Sequence, residues 1–339
     1  MPIILGKSNV TEIYNQAAKR RWVVPTFCAE NQMTIEAVLA ACQAKAEELQ
    51  IRVPIAIAMT GNYSHRPQAR FYAASRNART GFELFLGDCE VLARTSGDYP
   101  DVDVLTHFDH GQFIDDQELL SGDLSRFSSV MFDASASSWE VNLTKTAEFV
   151  RSHGSELLVE GAADEIVDAT GSVRAELTSP ERAEEFVDRT GVDMVVANLG
   201  TEHRASAAEC KYQPEVAKEI SNRIGPKLVL HGASSVPVRQ LESLFRDGVC
   251  KVNIWTILER DTSPELLRQM ILHADKVAGP KSQELFDSGY LGERVPVGGQ
   301  ANIAYFTSAW RNEIVGEGMR RIVEDYLSLW YIAPVVKDV

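Results

Sequence analysis

Residues 101–111 read Asp101 Val102 Asp103 Val104 Leu105 Thr106 His107 Phe108 Asp109 His110 Gly111. Val102, Val104, Leu105 and Phe108 form an apolar run of the kind that makes a buried strand. The run ends on His107, Asp109 and His110, and burial alone does not call for an acid beside two imidazoles. Ionisable residues at the C-terminal tip of a strand are the mark of a parallel α/β enzyme, whose chemistry gathers where strand ends open onto loops.

Strand-like runs recur outward from this one, at 22–27, 53–59, 102–108, 129–132, 157–159, 194–197, 228–230 and 249–254. Helical patterns precede and separate them, at 10–21, 34–49, 115–126, 179–191, 214–224, 238–245 and 258–273. Another runs from a cap at Ser137 or Ser138 to His153, with Gly154 as its stop. Residues 66–94 read as one long helical stretch broken near Gly81 and Gly87, and 161–178 as a long loop over the strand ends. Eight strand-then-helix repeats without a break in composition predict an α/β fold, a (β/α)8 TIM barrel over residues 1–275. A doubly wound open sheet would want a glycine-rich phosphate turn after its first strand, and Val24 Pro25 Thr26 Phe27 Cys28 Ala29 has none. Residues 276–339 form a C-terminal helical extension. Its apolar face, Trp310, Ile314, Met319, Ile322, Tyr326 and Leu327, is predicted to pack on the barrel or on a partner subunit.

The chain has 339 residues, with 34 Lys and Arg against 48 Asp and Glu, a formal charge of −14. That balance repels nucleic acid and anionic membrane surfaces, so neither is an expected partner. Five widely spaced cysteines without a CxxC pair suit reduced thiols in a cytoplasmic protein. No run of 18 apolar residues and no secretory leader is present, so a soluble, unprocessed chain is expected.

His110, His203 and His231 follow predicted strands three, six and seven. In a barrel those tips share one face, and three imidazoles converging there are the ligand set of a catalytic zinc with an open position for substrate. His107 lies next to this set and can support it from behind. Asp109 is placed either to move protons beside a metal-bound carbonyl, to orient an imidazole, or to cap the next helix.

The stretches His107 to Gly111, Asp133 to Ser135, Gly200 to His203, His231 to Ser234 and Lys251 to Thr256 together resemble, in order and spacing, five motifs of the class II (zinc-dependent) fructose-bisphosphate and tagatose-bisphosphate aldolases. The resemblance covers about 9–260, and Thr60 stands where the family usually has Ser. It implies a (β/α)8 barrel with His110, His203 and His231 as zinc ligands and Asp109 as proton donor and acceptor at the hydroxyl of the bond that breaks. It places Thr60, Asp133, Gly200, Gly232, Ser234, Asn253 and Thr256 in the substrate and phosphate pocket. Zinc, or another divalent metal, would polarise a ketone oxygen and stabilise the enediolate left by carbon-carbon cleavage.

The chain departs from the family pattern at several positions. Arg204 and Ser235 replace glycines on backbone that wraps a phosphate and an accompanying monovalent cation, Trp255 replaces an Asp, and Cys28 replaces an Asn. Side chains there narrow a nest that glycine keeps open, and Arg204 can itself bind a phosphate or carboxylate. The family's paired acids after strand five survive only as Glu160, with Glu165 as a stand-in for the mobile-loop acid. The expectation is therefore a zinc-dependent aldolase, an aldehyde-lyase acting on a ketose phosphate or a related ketone-containing sugar acid. A non-catalytic aldolase-like partner or chaperone subunit is the alternative, and a barrel hydrolase or epimerase would want a His-x-His pair on strand one. A small sugar-derived substrate and assembly as a homodimer or homotetramer are expected.

Overall fold

The computed structural model describes residues 3–165, 176–201 and 212–333. Eight parallel strands close into a barrel in sequence order: β1 (Val24–Cys28), β2 (Val53–Thr60), β3 (Val102–Gln112), β4 (Ser129–Asp133), β5 (Leu158–Ala162), β6 (Met194–Val196), β7 (Leu228–Leu230) and β8 (Val249–Ile254). Closure comes from β1 against β8, where Val24 pairs with Lys251 and Phe27 with Ile254. Every residue of β1, β2, β4 and β5 is buried, as a strand covered by helices outside and packed side chains inside must be. The fold is the (β/α)8 barrel that the alternation of patterns predicts.

The largest difference from the sequence reading lies in β3, which runs on to Gln112 instead of stopping at Phe108. Against β4 its register passes from Phe108 opposite Val130 to Gly111 opposite Phe132, so three steps on β3 match two on its neighbour. The extra residue makes a β-bulge, and His110 takes it up with a left-handed φ of 48°. Asp109 and His110, adjacent in the chain, would face opposite sides of a regular strand. The bulge turns both toward the same cavity.

The segment 66–94 divides into two helices, Gln68–Tyr72 and Ala78–Leu92. Their break is at 73–77, not at Gly81 or Gly87, which lie inside the second helix. Gly81 is there for close approach: a Cβ at that position would stand 1.8 Å from the Ala69 carbonyl oxygen. The helices expected over 115–126 and 238–245 shrink to Gln117–Leu120 and Val238–Leu241.

After β8 come the helix Thr256–Leu272, three short helices, and the long helix Ser308–Trp330, capped by the Thr307 hydroxyl. Met319, Val323, Tyr326, Leu327, Trp330 and Tyr331 from this last part join the same apolar cluster as the barrel helices. Trp330 Nε1 donates to the Leu241 carbonyl at 2.9 Å, and Trp22 Nε1 donates to the Ile332 carbonyl at 3.0 Å. The Tyr331 hydroxyl reaches the Pro54 carbonyl at the start of β2, and its ring lies 4.6 Å from that of Trp22. The end of the extension thus packs beneath the barrel, on the side away from the strand tips that carry Asp109. Among the described residues no helix is long and apolar enough to cross a membrane.

Candidate active site

A small cleft opens at the C-terminal ends of the strands. Cys28, Asp109, His110, His231 and Asn253 from β1, β3, β7 and β8 line its floor, Tyr63, His65 and Arg66 form one wall, and Gly232, Ser234, Trp255 and Thr256 form another. Chemistry at the carboxyl ends of barrel strands is what the fold favours.

Asp109, His110 and His231 are all buried, and their ligand-capable atoms lie within 4.8 Å of one another. His110 Nε2 stands 3.1 Å from His231 Nδ1. Two nitrogens each bound to one tetrahedral zinc at about 2.0 to 2.1 Å would stand roughly 3.3 Å apart, so this spacing fits shared ligation of an ion. His110 is held from two sides: its Nδ1 meets Asp133 Oδ2 at 2.8 Å, and its ring stacks on Tyr63 at 4.5 Å with planes 6° apart. A carboxylate behind a ligating imidazole fixes the ring and leaves the other nitrogen pointing at the metal position. The His231 carbonyl accepts the Thr201 hydroxyl at 2.7 Å, tying the tip of β7 to that of β6.

Asp133 accepts more than His110. Gln112 Nε2 donates to the same Oδ2 at 2.9 Å, and the Ser135 amide and hydroxyl donate to Oδ1 at 3.0 and 2.6 Å. Burial works to raise its pKa, yet the His110 and Ser135 bonds outweigh it and bring the carboxyl down to about 2.

Asp109 is saturated in the same way. Oδ1 accepts from Asn253 Nδ2 at 2.9 Å, and Oδ2 accepts from Arg66 Nη2 at 2.7 Å and from the Cys28 thiol at 3.4 Å. Burial again pushes upward, but His110, His107, His231 and Arg66 together hold the carboxyl well below the usual range. These contacts hold it in the ionised form. Burial pushes the neighbouring Cys28 thiol up, which keeps it neutral beside that carboxylate.

Beneath Asp109 lies a buried polar layer. Lys251 Nζ donates to Glu160 Oε2 at 3.0 Å, lies 2.8 Å from Oε1, and stands 3.3 Å from His107 Nε2. His107 Nδ1 meets the Ser129 hydroxyl at 2.8 Å. Lys251, Glu160 and His107 are each 0% exposed, so their charges and ring nitrogens are compensated chiefly by one another and by Ser129 and Asp109.

The loop that carries Tyr63 and Arg66 is pinned to the barrel. Asp116 accepts the Asn62 amide at 2.7 Å and the Gln112 amide at 2.9 Å. Gly61 makes this possible, because a Cβ there would stand 2.3 Å from Asp116 Oδ1. The Thr60 hydroxyl reaches the Arg66 carbonyl, and its amide donates to Gln68 Oε1 at 3.0 Å. Thr60 therefore holds this loop and is not among the residues lining the cleft.

Of the residues named from sequence, Asp109, His110, His231, Gly232, Ser234, Asn253 and Thr256 come together around the cleft. Thr256 opens the helix Thr256–Leu272, and Ser234 Oγ accepts the Ile257 amide at 3.3 Å. A helix N-terminus beside a Gly and a Ser is suited to an anion. Gly200 lies in the loop after β6 with a φ of 83°, and Glu165 is exposed. His203 and Arg204 lie outside the described residues. Sequence reading missed Tyr63 and Arg66; their signal was a Tyr63 Ser64 His65 Arg66 segment directly after the second strand, on the face where chemistry gathers.

The family model described as fructose-bisphosphate aldolase class-II matches residues 8–302. The chain is 29% identical over 297 residues to a fructose-bisphosphate aldolase of Treponema pallidum (strain Nichols), covering 74% of this chain and 82% of that one. It is 31% identical over 256 residues to the D-tagatose-1,6-bisphosphate aldolase subunit GatY of Klebsiella oxytoca, covering 72% and 79%. The crystal structure of fructose-bisphosphate aldolase from Campylobacter jejuni superposes with a TM-score of 0.74 at 19% identity, over 97% of this chain and 95% of that one. The YdjI aldolase from Escherichia coli K12 superposes with a TM-score of 0.63 at 20% identity, over 95% and 96%. At these identities the superpositions speak for the fold.

Proposed function

The chain belongs to the class II fructose-bisphosphate aldolase family, and on that premise we propose that it is a zinc-dependent aldehyde-lyase acting on a ketose phosphate or a related ketone-bearing sugar acid. Membership gives the reaction class, the making or breaking of a carbon-carbon bond next to a ketone. The observation that carries the finer reading is the pair of buried imidazole nitrogens 3.1 Å apart beside the Asp109 carboxylate.

His110 and His231, with His203 from outside the described residues, would hold the ion. Bound there, zinc supplies a Lewis acid for a ketone oxygen and offsets the negative charge that develops on it. The rest falls to the protein's own groups. Asp109 takes the proton from the hydroxyl on the carbon that becomes the aldehyde, and returns it in the reverse direction. Asn253 keeps Oδ1 of that carboxylate in place, while Asp133 and Tyr63 keep His110 in its orientation. Ser234, Gly232 and the amides at the start of the Thr256 helix would make the anion site for the ketone fragment, with Gly200 and, from outside the described residues, Arg204 as the further candidates that the family resemblance offers. The free state of all four described cysteines supports a cytoplasmic location. A non-catalytic partner role finds support only in the word subunit in the name of the Klebsiella relative. The intact Asp109, His110 and His231 cluster favours catalysis.

The test has two parts. Elemental analysis should find about one zinc per chain, lost in His203→Ala, while Asp109→Ala keeps its metal and loses a factor of about 10² to 10⁴ in aldehyde release from ketose phosphates or keto sugar acids. A full zinc complement in His203→Ala, or wild-type turnover in Asp109→Ala, refutes the assignment.

A further inference from the structure

The cleft holds one cation that the reaction described above does not use. Arg66 comes from the loop after β2, its side chain is 12% exposed, and its guanidinium lies 4.7 Å over the ring of Trp255. A flat cation on an indole face is held in a fixed plane. On that plane Nη2 donates to Asp109 Oδ2 at 2.7 Å. Nε is buried and has no hydrogen-bond partner among the described residues, and the same is true of Trp255 Nε1.

Nε and Nη2 lie on one edge of a guanidinium, the edge that takes both oxygens of a carboxylate at once. Asp109 uses half of it. In doing so it gives up the oxygen with which it would exchange a proton, since Oδ1 is already held by Asn253. The resting cleft thus has a base tied to a cation, and a cation with an unfilled donor beside a second unfilled donor.

We propose that Arg66 is a specificity-determining residue that receives a carboxylate of the substrate on its Nε and Nη2 edge, and that this exchange releases Asp109 Oδ2 for proton transfer. The inference rests on the aldolase reading and names the substrate class for the aldehyde half. Reach decides which carbon bears the anion. The donor of the carboxylate site is itself 2.7 Å from the oxygen that takes the hydroxyl proton. A group on Arg66 therefore sits on the carbon carrying that hydroxyl or on the next one, not at the far end of a triose chain. The aldehyde released is a short oxo acid of the glyoxylate type. Two departures from the family pattern serve this arrangement. Trp255 supplies the stacking face where an acid would compete for the guanidinium, and Cys28 puts a neutral thiol 3.4 Å from Arg66 Nη2.

Binding tests this apart from turnover. Glyoxylate titrated into the full-length protein should change tryptophan emission saturably, and Trp255→Phe should remove that change. The apparent Kd should rise by about tenfold to a hundredfold in Arg66→Lys, which keeps the charge but loses the fork, and saturation should vanish in Arg66→Ala. In aldol formation with dihydroxyacetone phosphate, Arg66→Lys should lower kcat/KM for glyoxylate by about tenfold or more beyond whatever it costs with neutral glycolaldehyde. Equal binding of glyoxylate by wild type and Arg66→Lys overturns the proposal. So does saturation by inorganic phosphate at lower concentration than by glyoxylate, or an equal loss with both aldehydes, which would make Arg66 a merely structural partner of Asp109. Absence of turnover with intact, Arg66-dependent binding would instead strike the aldolase reading.

Discussion

Lys251→Met should unfold the protein at a lower temperature by an amount that the structure allows to be estimated. Lys251 and Glu160 are both 0% exposed and in contact at 2.8 Å, in the middle of a closed barrel where no water can replace a lost partner. Methionine keeps the length and apolar stem of lysine but leaves the Glu160 carboxylate without its counter-charge. Removing one member of a buried ion pair costs about 3 to 5 kcal/mol. Unfolding entropy near the midpoint is about 2.1 cal/mol/K per residue, which for 339 residues comes to about 0.7 kcal/mol/K. Dividing the two gives a fall in Tm of about 4 to 7 °C. Glu160→Gln should cost a similar amount, since it strands the ammonium instead. The double variant Glu160→Gln with Lys251→Met buries no charge and should melt above either single variant. Circular dichroism melts of the four proteins at one pH and one metal concentration complete the cycle. A Lys251→Met protein melting within about 1 °C of wild type, or a double variant as damaged as the sum of the singles, would refute the view that these groups compensate each other.

Two further outcomes follow from single acidic groups. Asp133→Asn should weaken zinc retention against a competing chelator by about tenfold to a hundredfold, because one amide oxygen cannot serve the four donors from His110, Gln112 and Ser135 that the carboxylate accepts; undiminished retention would show that Asp133 does not orient the ligand. Burial, with the Glu30 charge adding to it, raises Glu259 from 4.5 to about 7. A folded-state acid with a raised pKa binds its proton more tightly than the unfolded chain does, so it costs nothing below about pH 4 and destabilises fully above about pH 7. Glu259→Gln should therefore raise Tm at pH 8 and leave it unchanged near pH 4, and the opposite order would reverse the sign of the shift.

The barrel was readable because its signal repeats. Each apolar run such as 53–59 or 129–132 is short, ambiguous alone, and decisive only as one of eight. Within a repeat, chain geometry hid more. Gly81 looks like a helix breaker by composition, yet its role is to admit the Ala69 carbonyl, a contact between two helices that no local pattern encodes. The imidazoles were found because strand tips converge in any barrel, so His110 and His231 needed only the count of strands. The way Asp109 comes to share their cavity was not visible, since a bulge is an offset between two strands and appears in neither alone. Arg66 and Tyr63 sit in a loop whose path depends on Asp116, fifty or more residues downstream. Lys251 and Glu160 each stand in an apolar run as an isolated charge, and only the closure of β5 toward β8 across the barrel pairs them.

The bulge in β3 has a mechanical consequence. On the proposed assignment the base, Asp109, and one metal ligand, His110, are successive residues, so the spacing between their α-carbons is a covalent length of about 3.8 Å that no hinge motion can stretch. His231 arrives on a different strand and has no such tether. Breathing of the barrel mouth would therefore loosen the grip of His231 on a bound ion before it moved His110 away from Asp109. On that assignment the alignment of Asp109 with His110 would be cheaper to keep than the ion, and inactivation by heat or denaturant should begin as leakage of the ion while these two residues are still in register.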